Sequence, residues 1–544
     1  MVARRAMGAA RACALAALAA LAACAVGVGG AGGLGVPGVL GPRPVRCAAI
    51  AAERAERHRA LAAWLRARGG NGTRALAPDE AEEAAACGEG PLRATLALDE
   101  GTTVLEVPFS AVLSARSLAS GSSALRRAAQ GQPEWVALVL ALLREVHLGE
   151  ASEFAPYVDS LPEHAIDAAP FSWEAADAAE LQASPVRARA EAQRRHLLEA
   201  HTAVVRSLTA EPTGANPLTG GMGSELGFGA FAWAAAIVWS RSFACPLDAG
   251  GDEQGASAAD GSPVPCLVPL ADALALAPEG GERGWESTAD EGELEAGEAG
   301  EDSATFVFRV GQRVSYAPGD IVYADFGTRA TAELLLATGE VILENPSDTF
   351  SLAAGDLAVA AGSSREAAIE KSLIAEQIAG ASLSAPLVLQ ADGIRPEVLT
   401  LLRIATLDDE LAAKGGNALE EVVTDIEELG ADVDQSGAGS VEDAAAYLGT
   451  PHEERALKLL RRLCLLALGR YGTSLEADEV QLAQASAGSG AHKRSHSRAA
   501  PGTAAARRLA ALKMRIAEKR ILEATLEEVA RALARLNPNR RTEL

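Results

Sequence analysis

The stretch whose reading decides the fold runs from Tyr316 to Asp348: YAPGDIVYADFGTRATAELLLATGEVILENPSD. Within it Asp320–Asp325 reads as a short strand, and Phe306–Val310 and Arg313–Tyr316 just before it read the same way. Upstream, Cys87–Pro108 divides into strand, turn and strand: LRATLAL, then DEG, then TTVLEVP. Leu267–Leu270 is apolar and short, as a buried strand would be. Helical patterns fill the space between. His58–Gly69 places Leu61, Trp64 and Leu65 on one face. Residues 134–210 are helical in pattern but punctuated at Pro156, Pro162, Pro170 and Pro185, and Ala230–Arg241 is a compact apolar helix. From about Ser364 onward nearly everything is helical, apart from loops near 430–440 and 486–504. The order predicts an α+β chain: a β-rich core holding a helical insert, followed by an all-α C-terminal domain.

Composition narrows the function. The chain has 544 residues, 49% hydrophobic and 22% charged, which is globular composition. Its ends carry +5 (residues 1–50) and +8 (residues 491–544) against a net charge of −24, so the stretch between carries −37. So acidic a body predicts no nucleic-acid partner. The Glu279–Asp302 stretch, with ten acids and one Arg, is expected to be a disordered insertion. Seven cysteines at 13, 24, 47, 87, 245, 266 and 464 are odd in number, widely spaced and without C-x-x-C, which argues against a disulfide framework or a zinc site. Arg4, Arg5 and Arg11 precede an apolar run from Ala12 to Val28, and Gly29–Ala52 lacks acids and is rich in small residues. A signal-like piece followed by a transit-like piece predicts a targeting presequence over residues 1–50 and a plastid (chloroplast) destination, with secretory or mitochondrial sorting as alternatives. No stable membrane insertion is expected after processing.

Several segments, in this order, resemble a SET-domain protein methyltransferase of the Rubisco large-subunit lysine N-methyltransferase group. GEGPLRATLALDEGTTVLEVP resembles the family's opening hairpin, FAPYVDSLPEH its P-Y-L-D-S-L-P segment, and FAWAAAIVWSRSF its W-A…S-R-x-F helix. CLVPLAD resembles L-V-P-x-x-D, and the Tyr316–Asp348 stretch resembles the block that carries Y-G, S-N-x-E and N-P-x-D. Near the end, HEERALKLLRRLCLLALGRYGTSLEADEVQL and LKMRIAEKRIL resemble two helical motifs of the family's substrate-binding domain. The likeness spans roughly residues 56–530. It implies a SET domain over 51–355, with a helical insert at about 120–230, and a helical substrate-binding domain over 356–535.

The resemblance implies S-adenosyl-L-methionine as cofactor and a protein substrate with a target lysine. The cofactor brings its own leaving group, so the enzyme mainly aligns a neutral amine with the S–methyl bond. Carried over residue by residue, the cofactor-binding positions are Gly88, Glu89 and Gly90 of the first turn, Arg241, Asp272, Ala275, Leu276, Thr338 and Gly339. The catalytic Tyr of the family falls on Phe326, its Asn-His pair on Ala275-Leu276, the Asn of S-N-x-E on Thr331, and the last Gly of the cofactor turn on Pro91. Phe326 can fill a lysine channel but can neither donate nor accept a hydrogen bond. These departures open two expectations: a protein-lysine N-methyltransferase of weakened activity, or a catalytically silent SET scaffold that binds a protein partner through its C-terminal helices.

One motif lies outside the resemblance. In DVDQSGAGSVED, Asp432, Asp434, Ser436 and Asp443 occupy positions of a calcium loop. An acidic loop between two helices is the simpler reading, and no metal is assigned. Oligomeric state is not legible in the sequence.

Overall fold

Prolines set where the insert's helices begin. Pro133 precedes one helix, Pro156 lies in the first turn of the next, and Pro170 and Pro185 open two more. At a helix start the missing N–H costs nothing and the fixed φ helps. The computed structural model describes residues 47–78, 92–118, 123–209, 226–245, 264–276, 293–295, 305–311, 314–324, 329–353, 355–414, 417–431, 449–487 and 502–536.

The chain enters through α1 (Cys47–Ala67), β1 (Leu76–Pro78), β2 (Leu92–Ala94), β3 (Thr103–Pro108) and β4 (Leu113–Ser114). The helical insert follows: α2 (Ser123–Ala129), α3 (Glu134–Leu148), α4 (Ala155–Val158), α5 (Ala165–Ala168), α6 (Ala175–Ala179), α7 (Pro185–Thr209) and α8 (Phe228–Arg241). Short strands return as β5 (Phe243–Cys245), β6 (Val264–Leu267), β7 (Ala275–Leu276), β8 (Glu293–Glu295), β9 (Thr305–Arg309) and β10 (Tyr323–Ala324). Then come α9 (Thr331–Thr338), β11 (Thr349–Leu352), α10 (Asp356–Ala361), α11 (Arg365–Ala379), β12 (Leu387–Gln390), α12 (Pro396–Ala405), α13 (Asp409–Lys414), α14 (Asn417–Ala431), α15 (Thr450–Gly469), α16 (Leu475–Ala487) and α17 (Ala504–Leu536).

The strands form small sheets: β1-β2, β3-β9-β8 and β4-β6-β5, all antiparallel, and a parallel pair, β7 with β10. Along β3 Val104, Leu105 and Val107 are buried, and the consecutive pair at 104–105 falls where the register with β9 shifts. α8 is apolar nearly all round, and Phe231, Ala234, Ala235 and Ile237 are fully buried in it, as a central helix requires. One core joins α1, strands β1–β6 and β9 and most of the insert, a second lies in the C-terminal half with β11 and β12, and a third links them through Trp173, Leu181, Leu335 and Met514.

Three boundaries differ from the sequence reading. The insert runs to Arg241, because α8 packs on α3 within the same core. Phe350 and Leu352 belong to the C-terminal core, since β11 pairs antiparallel with β12, a strand inside the half expected to be all helix. The acidic insertion expected to be disordered contributes Glu293–Glu295 as an edge strand on β9. Residues 277–292 and 296–304 lie outside the described residues, as do 1–46 of the presequence and Asp432, Asp434, Ser436 and Asp443 of the calcium-loop candidate.

A buried ionic junction fastens the insert to the C-terminal helices. Arg515 and Lys519 of α17 both reach Asp478 of α16, and all three side chains are at most 2% exposed. Arg515 also donates to the Glu180 carbonyl, and Gln182, with a left-handed φ of +53°, accepts from the Gly472 N–H at 2.9 Å. Glu518 accepts from Ser184 Oγ and Tyr471 OH, both at 2.8 Å. Burial pushes the Glu518 carboxyl up to about 7, although both hydroxyls pull the other way. Burial would also raise Asp478, but hydrogen bonds from Arg515, Lys519 and Thr473 hold it below the usual carboxylate range.

A candidate cofactor corner

α8 ends at Arg241 because the chain turns extended at Ser242 and enters β5. Its guanidinium swings to the turn that follows β6, where Nη1 donates to the Asp272 carbonyl at 2.8 Å. That turn is a single 3-10 turn, Ala271–Ala273, entered through Leu270 at φ +69° and ψ −40°. A buried leucine in this conformation costs on the order of 1–3 kcal/mol, and such strain gathers at functional sites. The Asp272 carboxylate accepts from Tyr157 OH at 2.7 Å. Tyr157 comes from α4 of the insert and is fully buried. Burial first, and then the charge of Asp272, raise its phenol well above the ordinary value, so it remains a donor. Three segments distant in sequence thus meet at one cation, one carboxylate and one phenol.

The corner continues into β7. Ala275 and Leu276 pair in parallel with Tyr323 and Ala324, and Ala275 N–H donates to the Val322 carbonyl at 3.3 Å. This contact is made by backbone alone, so it survives the absence of polar side chains at 275–276. β10 leads directly toward Phe326, which lies with Gly88, Glu89 and Gly90 outside the described residues. The Tyr316 hydroxyl accepts from the Tyr323 N–H of β10 at 3.5 Å. Thr338 and Gly339 close α9, where Gly339 takes φ +75° and a Cβ would stand 2.5 Å from the Ala168 carbonyl. Gly339 thus packs on the end of α5 in the insert. The start of α9 is fixed separately: Asp348 accepts from the Thr331 N–H at 2.6 Å, and Asn345 donates to the Arg329 carbonyl at 2.8 Å.

Two features here escaped the sequence reading. Tyr157 was visible only as part of a motif, because its partner Asp272 is 115 residues away. The second is a correction: Cys245 and Cys266 are joined in a disulfide, both fully buried. They lie on the paired strands β5 and β6, with Cα atoms 6.1 Å apart, within disulfide reach. Spacing along the chain carries no information on that pairing. Cys464 is buried and free, its thiol pushed up to about 12 by burial. Among the described residues no cluster of three metal-ligating side chains occurs, and no helix is long and apolar enough to cross a membrane.

A core of short sheets, a helical insert closing on a parallel strand crossing, and a helical C-terminal domain define the SET class with its appended module. Residues 362–522 match the family described as Rubisco LSMT substrate-binding. Among solved structures, the SET domain of LSMT bound to lysine and AdoHcy aligns over 89% of this chain and 93% of its own, at 18% identity and TM-score 0.60. Rubisco LSMT bound to AdoMet aligns over the same shares at 19% identity and TM-score 0.58. Rubisco LSMT bound to sinefungin and monomethyllysine does so at 18% identity and TM-score 0.56. No curated protein matches the sequence significantly. The chain therefore has the fold of a Rubisco LSMT-like SET protein, with a C-terminal domain of the substrate-binding family.

Proposed function

We propose that the chain is an S-adenosyl-L-methionine-dependent protein-lysine N-methyltransferase of reduced activity, acting on a plastid protein. The observation that carries it is the Arg241–Asp272–Tyr157 corner beside the β7·β10 crossing. Rubisco LSMT, which shares this fold, has been solved bound to AdoMet, and its SET domain bound to methyllysine and AdoHcy. The residues present fit the carboxylate end of such a cofactor: a guanidinium offers planar donors to a carboxylate, and Asp272 and Tyr157 hold this one in place. Ala275 and Leu276 contribute backbone only, and Thr338–Gly339 complete the set carried over from the family. Bound S-adenosyl-L-methionine would supply an activated methyl group.

This chain's own part is to orient and to dry. Lysine ordinarily titrates near ~10.4, so the acceptor amine must lose its proton in a desolvated channel. Phe326 keeps such a channel apolar but gives the amine no hydroxyl. Each hydrogen bond lost to a charged partner is worth ~1.5–3 kcal/mol, which is the basis for a slow enzyme. The same departures favour the second reading, a silent SET scaffold that holds a protein partner through its C-terminal domain. Calorimetric titration with S-adenosyl-L-methionine separates them. The enzyme reading expects saturable binding that Arg241→Ala weakens by at least tenfold while the melting transition stays. No heat of binding in the unmodified chain gives the scaffold reading. The acid-free, arginine-bearing leader supports plastid targeting, and a reporter fused to residues 1–50 tests it by microscopy.

A further inference from the structure

The outer face of α15 sets cations beside bare leucines on an otherwise acidic chain. Lys458, Arg461 and Arg462 stand one turn before Leu465 and Leu466, which are 49% and 45% exposed. These five residues line a recess of about 350 Å³. Arg462 donates to the Ala360 carbonyl of α10, which brings Val359, 80% exposed, to the same edge. Lys458 is paired only with Glu454 on its own helix, and Arg461 has no hydrogen-bond or ion-pair partner among the described residues. Cations in one turn and bare leucines in the next call for the complementary order in an occupant: carboxylates, then apolar side chains. A two-fold interface through the same face would bring to it only the same five side chains, none of them a carboxylate. An extended anionic membrane would meet the field of the whole chain, net −24, whereas a short acidic segment meets mainly the cations within a Debye length of it.

We infer that this face of α15 docks an acidic, amphipathic helical segment of the protein substrate. The inference rests on the reading that the chain acts on a protein, and it adds the chemistry by which that protein is held. The cations steer and register the segment, and the leucines bury its apolar side.

The test uses the full chain and a fluorescent synthetic helix with glutamates over one turn and leucines over the next. Its controls are the same helix with lysines in place of the glutamates, and phosphatidylserine vesicles. The acidic helix is expected to bind, and to weaken several-fold between about 50 and 500 mM salt. Lys458→Glu with Arg461→Glu, and separately Leu465→Ser with Leu466→Ser, should each weaken it about tenfold or more, about 1.4 kcal/mol. These side chains are exposed, so melting should be unchanged. Equal binding by the lysine helix, or acidic-helix binding indifferent to both double variants, overturns the inference. So does a wild-type chain whose variants lose only vesicle binding or only self-association. Cofactor titration of the same variants should match the unmodified chain. A chain that binds no S-adenosyl-L-methionine but still binds the acidic helix through these residues loses the methyltransferase reading and keeps the dock.

Discussion

Two of the buried charged constellations among the described residues are built on different supports. The junction of Asp478, Arg515, Glu518 and Lys519 hangs on two long helices, α16 and α17, and its partners come from helices or helix ends. The corner of Arg241, Asp272 and Tyr157 hangs on a helix end, a one-turn 3-10 segment with a left-handed leucine, and a four-residue helix. Rigid supports with saturated ion pairs describe a fastening, whereas strained, short supports that aim a cation describe a place where something binds. The sequence motifs follow the same division. The R-x-x-E-K pattern of the junction is present at Arg515, Glu518 and Lys519, while the corner's surroundings carry Ala275-Leu276 and Phe326 where the resemblance expects an Asn-His pair and a Tyr.

If the junction is a fastening, removing its anion should hurt most. Asp478→Ala leaves two buried cations without their shared carboxylate and should cost about 3–5 kcal/mol. Urea unfolding followed by circular dichroism measures it, and a loss under about 1 kcal/mol would merge the two constellations into one kind. The corner is sharpened by giving back what it lacks. Phe326→Tyr with Ala275→Asn and Leu276→His should raise methyl transfer to proteins of a plastid extract by ~10²–10³, about 3–4 kcal/mol of barrier. If the unmodified chain already transfers at the rate of the triple variant, position 326 is not the catalytic one. Cys245→Ser opens a loop whose closing cysteines lie 21 residues apart. Loop-closure entropy makes that about 3 kcal/mol of stability, read from melts with and without reductant. Equal melts would mean the bridge adds nothing to the strands that carry Arg241 and Asp272.

The smallest effect is a pH dependence. Glu518 titrates near 7 in the folded chain against 4.5 ordinarily, so between those values the folded state keeps a proton that the unfolded state has lost. Its contribution is therefore full below about 4.5 and is lost as pH rises toward 7. Stability should fall by about 2 kcal/mol from pH 5.5 to 7 on this account. Glu518→Gln should flatten that slope in urea melts taken across the range. A slope unchanged by the substitution would remove Glu518 as its source.

Most of the fold was legible because it is written in local pattern. TTVLEVP gave β3 almost residue for residue, and the apolar run ending in Arg241 gave α8. β12 was legible too, as LVLQ between Pro386 and the Asp392-Gly393 turn, but the surrounding helical periodicity outweighed four residues. The Cys245–Cys266 bridge and the Tyr157–Asp272 bond were not legible, since each depends on which distant strands or helices become neighbours. Asn345 and Asp348 matched a motif, yet their work of holding the start of α9 shows only once Thr331 is seen buried beside them.

The β3·β9 ladder, with Thr103 opposite Arg309 and Pro108 opposite Thr305, has a consequence for synthesis on the ribosome. β3 emerges first and its partner follows only after ~200 further residues, on the order of 10–40 s at ordinary elongation rates. During that interval the β9-facing edge of β3 is unpaired, and Leu105 and Val107 have only α1, the earlier strands and the helices of the insert as apolar cover. Nascent chains halted between residues 120 and 300 should be the ones that chaperones hold and that aggregate when released.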